Sequence, residues 1–191
     1  MPRAGLTRDR VVDEAVTLVD DADLSLAVLA DRLGVRVPSL YKHVEGLDDV
    51  TRAAATRCVR ELTAVMRDAA VGVARDDAVR AVAIAYRRWA HEHPGRYRLA
   101  QRAPAPDDVD AVAAAGEAVD VVASALAGFR LDADHLVDAV RGLRACIHGF
   151  VSLEAAGGFG MPRSTDSSFD ALIDALLGGY ASAGSDAATR A

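Results

Sequence analysis

The stretch Ala27 to Val44, AVLADRLGVRVPSLYKHV, confines the fold more tightly than any other part of the chain, because it reads as two short helices that meet at a single glycine. Leu26, Leu29, Ala30 and Leu33 recur at helical spacing and share one face, leaving Asp31 and Arg32 for solvent. Ser25 is placed to cap this helix, its hydroxyl accepting from an otherwise unpaired first-turn amide, and Gly34 to end it in the left-handed conformation. A second helix starts around Val37 and Pro38, where proline costs nothing because first-turn amides have no helical partner, and it runs to about Val44 before Gly46. Val35 and Leu40 fill the angle between the two. Helices joined in this way follow the helix-turn-helix plan, whose second helix lies in the DNA major groove.

That second helix ends in Tyr41, Lys42 and His43, a cluster rich in hydrogen-bond donors. Ser39, Tyr41 and His43 can donate to phosphate oxygens, while Lys42 can neutralise a phosphate or reach a guanine edge. The plainer alternative has Tyr41 and His43 capping and packing the helix and Lys42 solvated. With the preceding helix TRDRVVDEAVTLVDD, the segment LSLAVLADRLGVRVPSLYKHVEGLDDV resembles the N-terminal domain of the tetracycline-repressor (TetR) family of transcription regulators, through the spread pattern LA..LGV...LY.HV over residues 6 to 52. The resemblance implies a recognition helix at Val37 to Val44, with Ser39, Tyr41, Lys42 and His43 facing DNA and Thr7 and Arg8 touching the backbone. Ser25, Arg36 and Val37 complete the candidate DNA-binding set. Three positions depart from the family pattern: Leu47 stands where a lysine usually opens the fourth helix, Ala27 replaces a frequent arginine, and Arg36 replaces a frequent serine. Arg36 can supply the contact that those changes remove.

A net charge of -6 argues on its face against a nucleic-acid partner, so its distribution matters. Residues 1 to 60 hold nine Arg/Lys against ten Asp/Glu, which leaves this segment at -1 and the remainder at -5. Binding must then rest on placing Arg8, Arg36 and Lys42 on one face, and few neutralised phosphates mean a shallow salt dependence. The two cysteines, Cys58 and Cys146, have no metal-like spacing and fit a reduced cytoplasmic setting. MPRAGLTRDR has no apolar signal core, and no uninterrupted apolar run of membrane-spanning length follows, so a membrane partner is not expected.

Beyond Gly46 the chain reads as helix after helix. The expectation is an all-α fold of eight to nine helices: a three-helix helix-turn-helix domain over residues 1–46 and a helical bundle for ligand binding and dimerisation over 47–191. Leu47 to Val73 forms one long helix, Ala78 to His93 the next, stopped by His93-Pro94-Gly95, and Arg96 to Arg102 a short one. Further helices carry Val109 to Leu126, Leu136 to Val151 and Phe169 to Leu177, and the small, polar tail from Ser182 frays. WAHEHPGRYRL and LRACIHGFVSLEAAGGFG resemble a recurrent C-terminal domain of TetR-type regulators, which implies a small-molecule-sensing and dimerising body.

Physics also asks for a dimer, since one helix-turn-helix contacts too few base pairs and a two-fold dimer reads two half-sites about 34 to 36 Å apart. The last two helices are the natural interface, with Gly149 and Ser152 letting a partner helix approach. Tyr86, Trp89, Tyr97, Phe129, Leu143, Cys146 and Phe150, with His148 as a polar anchor, have the composition of a pocket for a largely apolar effector. The bland alternative is that these aromatics are plain core. His91 and His93 at i, i+2 point away from each other on a helix and do not suit a shared metal. No catalytic motif, cofactor site or phosphate-cradling loop stands out, and Ser164 to Asp166 reads as a turn capping the last helix. The function expected is a ligand-responsive regulator, most simply a repressor, that leaves a palindromic operator when a small molecule binds. A DNA-binding regulator controlled by a protein partner is the alternative.

Overall fold

The computed structural model describes residues 5–190. Among them nine α-helices and one 3-10 turn account for the regular structure, with no strand. The helices are α1 (Arg8–Leu18), α2 (Leu26–Leu33), α3 (Val37–Leu40), α4 (Leu47–Ala69), α5 (Asp76–Glu92), α6 (Pro94–Ala100), α7 (Val109–Leu126), α8 (Ala133–Ala155) and α9 (Thr165–Arg190), with the 3-10 turn at Ala127–Phe129. The chain divides into two compact units, Met1–Leu62 with His93–Gly116, and Thr63–Glu92 with Glu117–Ala191. Helices α4 and α7 each contribute residues to both.

In the first unit the local signals act as the sequence suggests. Thr7 caps α1 by accepting from the Arg10 amide (3.2 Å) and Ser25 caps α2 by accepting from Val28 (3.2 Å). Gly34 has φ +68°, and the amides of Gly34 and Val35 return to the carbonyls of Asp31 and Ala30, so the helix closes on the double hydrogen bond of a Schellman motif. Val11, Val12 and Ala15 of α1, Leu29 of α2, Leu40 of α3 and Val50 and Ala54 of α4 are buried to within 2 % and form the core of this module. Around it run Arg57 with Asp9 and Asp13, and Arg32 with Glu14.

Helix α6 belongs to the same unit. His93-Pro94-Gly95, expected only as a stop, also starts α6, because Pro94 sits at its tolerated first position. Asp20, just past α1, accepts from the amides of both Gly95 and Arg96 (2.9 Å each) and pairs with the Arg96 guanidinium (2.9 Å). Gly95 lies so close to α1 that an added Cβ would stand 1.7 Å from the Val19 carbonyl oxygen. Burial of the Cys58 thiol against this core pushes its pKa up to about 12, which leaves it unreactive.

The second unit is built on α5, α8 and α9. Val79, Val82 and Trp89 of α5, Leu143, Ile147 and Phe150 of α8, and Phe169, Ile173 and Leu177 of α9 are buried in it. At one end Arg87 stands over the rings of Phe150 (5.5 Å) and Phe169 (4.9 Å) and grips Glu154 through two hydrogen bonds of 3.0 and 2.6 Å. Asp166 (2.8 Å from Arg87) and His91 (2.7 Å from Glu154) complete the knot. Ser164 accepts from the Ser167 amide at 3.4 Å, the cap expected for the last helix.

Two boundaries and one composition differ from the sequence expectation. Helix α4 stops at Ala69 rather than Val73, because Gly72 turns left-handed (φ +77°). Helix α9 does not end near Ser182 but continues through Arg190. It is held there by Tyr180, whose hydroxyl donates to the Ala139 carbonyl (3.2 Å), and by Gly184, which packs directly against the Phe129 carbonyl. The composition is that of α7: against the expectation of no run of membrane-spanning length, Val109–Phe129, with mean hydropathy 1.5, is long and apolar enough by length and composition to cross a membrane. Alanine and valine create that value, and Glu117 and Asp120 interrupt the stretch with charges that a lipid-facing helix does not tolerate cheaply.

Candidate nucleic-acid interface

Helix α3 is shorter than expected. It is α-helical only over Val37–Leu40, and Tyr41, Lys42 and His43 form a turn closed by hydrogen bonds from His43 and Val44 to the Leu40 carbonyl (2.8 and 3.0 Å). The turn keeps a helix-like return, since the Val44 amide reaches the carbonyl four residues back. Leu40 (fully buried) and Val44 (4 % exposed) are taken into the core, and the donors Tyr41, Lys42 and His43 lie between them. Tyr41 is 57 % exposed, Lys42 is exposed, and Ser39 and His43 are half-buried.

Of the remaining candidates, Arg36 and Val37 stand at the start of α3, and Thr7, Arg8 and Ser25 at the starts of α1 and α2. Arg36 is exposed and precedes α3 with extended backbone (φ -89°, ψ 146°), and Val37 is half-buried behind it. Arg36 and Lys42 have no ion-pair partner among the described residues, so both charges are available to phosphate. Thr7 and Ser25 spend an oxygen lone pair on their caps yet keep their hydroxyl protons for donation. Arg8 is different. Its guanidinium is already held by Asp49 at the start of α4 through two parallel hydrogen bonds of 2.6 Å, and Asp49 also accepts from the Glu45 amide at 3.0 Å. The Arg8 fork, the largest influence on this group, holds the Asp49 carboxyl below the usual carboxylate range. Sequence reading missed Asp49, because a carboxylate at the third position of a helix looks like ordinary dipole compensation. Leu47, in the place of the missing lysine, is 39 % exposed.

The residues expected to line an effector pocket divide between the two units. Tyr97, on α6, belongs to the first unit and is 7 % exposed. The other seven belong to the second, where Tyr86, Trp89, Phe129, Leu143 and Phe150 are buried and Cys146 and His148 half-buried on α8. Phe129 meets Tyr180 edge-on at 5.8 Å, and Phe150 is taken up by Phe159, Phe169 and Arg87. A separate cavity of about 580 Å³ opens in the second unit where the end of α4 and the following loop approach α7. Its lining includes Arg67, Arg75, Glu117 and Asp120 and none of the eight expected residues.

Residues 79–176 match a family model described as the tetracyclin repressor-like C-terminal domain. The chain is 38% identical over 158 residues to the HTH-type transcriptional regulator Rv0681 of Mycobacterium tuberculosis, covering 81% of this chain and 72% of the relative. It is 32% identical over 183 residues to the HTH-type transcriptional regulator YobS of Bacillus subtilis, covering 93% of this chain and 94% of that one. Among solved structures, the Streptomyces coelicolor TetR family protein ActR in complex with (S)-DNPA superimposes with a TM-score of 0.68 at 17% identity, covering 95% of this chain and all of the other.

Proposed function

The chain belongs to the TetR family of transcriptional regulators, and from that premise we propose that it binds a palindromic operator as a homodimer and is released by a small-molecule effector. The observation that carries the DNA part is the turn after α3. Tyr41 and Lys42 stand out from a module whose neighbouring Leu40 and Val44 are buried, and the unpaired Arg36 flanks them. Lys42 and Arg36 neutralise phosphates or reach guanine edges, and Ser39, Tyr41 and His43 donate to the backbone. A reading turn flanked by so few cations gains modest nonspecific affinity and depends on two half-sites read together. Its work is thus cytoplasmic, where its DNA target lies.

Helices α8 and α9 supply the dimer interface in this reading. Their buried stripes close the core of the second unit, while Val137 and Leu153 of α8 remain 46 % and 52 % exposed and Gly178 and Gly179 of α9 are exposed as well. Paired with their copies, these outer faces make a four-helix arrangement. Trp89, Tyr86, Leu143, Cys146, His148 and Phe150 form the region where a largely apolar effector binds. ActR, which shares the fold, was crystallised with a small molecule. The effector lowers operator occupancy by favouring a dimer whose two turns no longer match the half-site spacing, to the extent that it binds that state more tightly. Control by repression is the simplest outcome of such release.

Genomic fragments captured by the immobilised full chain, followed by elution with small-molecule fractions of a cell extract, test this reading. Enriched fragments sharing a palindrome, and their release by one fraction, are expected. Capture without a shared palindrome contradicts the dimeric operator, and a palindrome that no fraction releases contradicts effector control.

A further inference from the structure

We propose that the cavity between the end of α4 and α7 is a binding site for a zwitterionic small molecule with a largely apolar body, distinct from the effector region above. At about 580 Å³ the cavity lies within the range of small-molecule sites, roughly 300–1,000 Å³. Its floor is apolar, with Ala78, Val121 and Ala125 all buried. Its rim carries four charges. Arg67 and Glu117 neutralise each other across it at 3.7 Å. Arg75 and Asp120 have no ion-pair partner among the described residues, so the cavity offers one open cation and one open anion above an apolar base.

The placement of Arg75 is built in. It adopts φ +53°, a left-handed backbone that a residue with a Cβ takes at a cost, and it does so at the head of α5, where its carbonyl accepts from Ala78 and Val79. Opposite it, Gly128 lies so near that an added Cβ would stand 2.7 Å from the Arg75 Cγ. The 3-10 turn at the end of α7 thus leaves room for the stem of this arginine.

Charge complementarity selects the ligand class. Arg75 and Asp120 are both exposed, so selection is by pairing: a purely anionic ligand paired with Arg75 would face Asp120, a purely cationic one paired with Asp120 would face Arg75, and an uncharged one would pair with neither. A molecule carrying one group of each sign on an apolar frame satisfies both and covers the floor.

The test uses calorimetric titration of the full chain with the dipeptide leucyl-phenylalanine, its N-acetyl derivative (anion only) and its C-terminal amide (cation only). Saturable one-site binding of the zwitterion is expected, with each blocked form weaker by about threefold to fivefold, the loss of one exposed ion pair. Arg75→Asn, which keeps a side chain suited to positive φ, should weaken the zwitterion and the N-acetyl form. Asp120→Asn should weaken the zwitterion and the amide. Absence of saturable binding, equal affinity for the three forms, or indifference to both substitutions would overturn the proposal. No DNA enters this measurement, so its failure and the failure of operator binding are read separately.

Discussion

Arg8 and Asp49 meet through two parallel hydrogen bonds of 2.6 Å, which tie the first turn of α1 to the first turn of α4. The pair stands beside the proposed DNA-reading turn and consumes a cation that family resemblance would assign to the phosphate backbone. In this chain Arg8 is committed to Asp49, so the proposed phosphate contact would have to share its fork with that carboxylate.

Asp49→Asn should separate these roles. The pair is half-exposed on the arginine side, so its loss, together with the weaker bond to the Glu45 amide, should cost about 1 kcal/mol of stability in urea titrations. Freed of its carboxylate, Arg8 should contact phosphate, so the salt dependence of binding to nonspecific DNA should steepen by about one phosphate. A flatter slope would count against the assignment.

Lys42→Ala and Tyr41→Ala should leave the unfolding midpoint almost unchanged, within about 0.5 kcal/mol, since both side chains project from the surface. Each should weaken operator binding by about tenfold in anisotropy titrations. Leu40→Ala should behave in the opposite way, costing about 2–5 kcal/mol of stability because the side chain is fully buried.

Gly95→Ala should destabilise the first unit by about 2–4 kcal/mol, because a Cβ at this position collides with the backbone of Val19 and no side-chain rotation relieves it. Urea unfolding followed by circular dichroism would register the loss, whereas Gly142→Ala, with open space around the new methyl, should cost nothing measurable or stabilise the helix.

Glu154 gives the second unit an acid-sensitive joint. The Arg87 fork, helped by His91, depresses its pKa to about 2, against the pull of partial burial. A carboxylate held below its unfolded pKa stabilises the fold at every pH above that unfolded value, and the benefit fades as the pH falls from about 5 towards 2. Glu154→Gln should cost about 2 kcal/mol at pH 7, less than full conversion of the shift because water reaches the cluster, and the difference from the parent chain should close near pH 2.

How far these features were legible in the sequence follows from their reach along the chain. Thr7, Ser25 and Gly34 act on partners within five residues, so residue type and spacing were enough to find two caps and a helix stop. The extent of α3 was not, because Leu40 and Val44 stand at helical spacing and a continuing helix and the observed turn both bury them. The Arg87 knot joins residues 67 and 79 positions apart in the chain, and nothing local distinguishes Arg87 from a solvated charge. The cavity charges were invisible for the same reason: Glu117 and Asp120 read as the wet face of a helix until the loop after α4 is brought against them. Aromatic residues drew attention instead to α5 and α8, and the ring contacts of Phe129 with Tyr180 and of Phe150 with Phe169 lie too far apart in the chain to be read from spacing.

The central claim is that two copies of the turn at Tyr41 to His43 read one DNA site. Selection from a random DNA pool by the purified full chain, sequenced beside a Tyr41→Ala, Lys42→Ala double variant, tests it most directly. The account predicts an enriched palindrome with half-sites about one helical turn apart, or a multiple of that, lost in the variant. Enrichment that survives in the variant, or none with the parent chain, would contradict it.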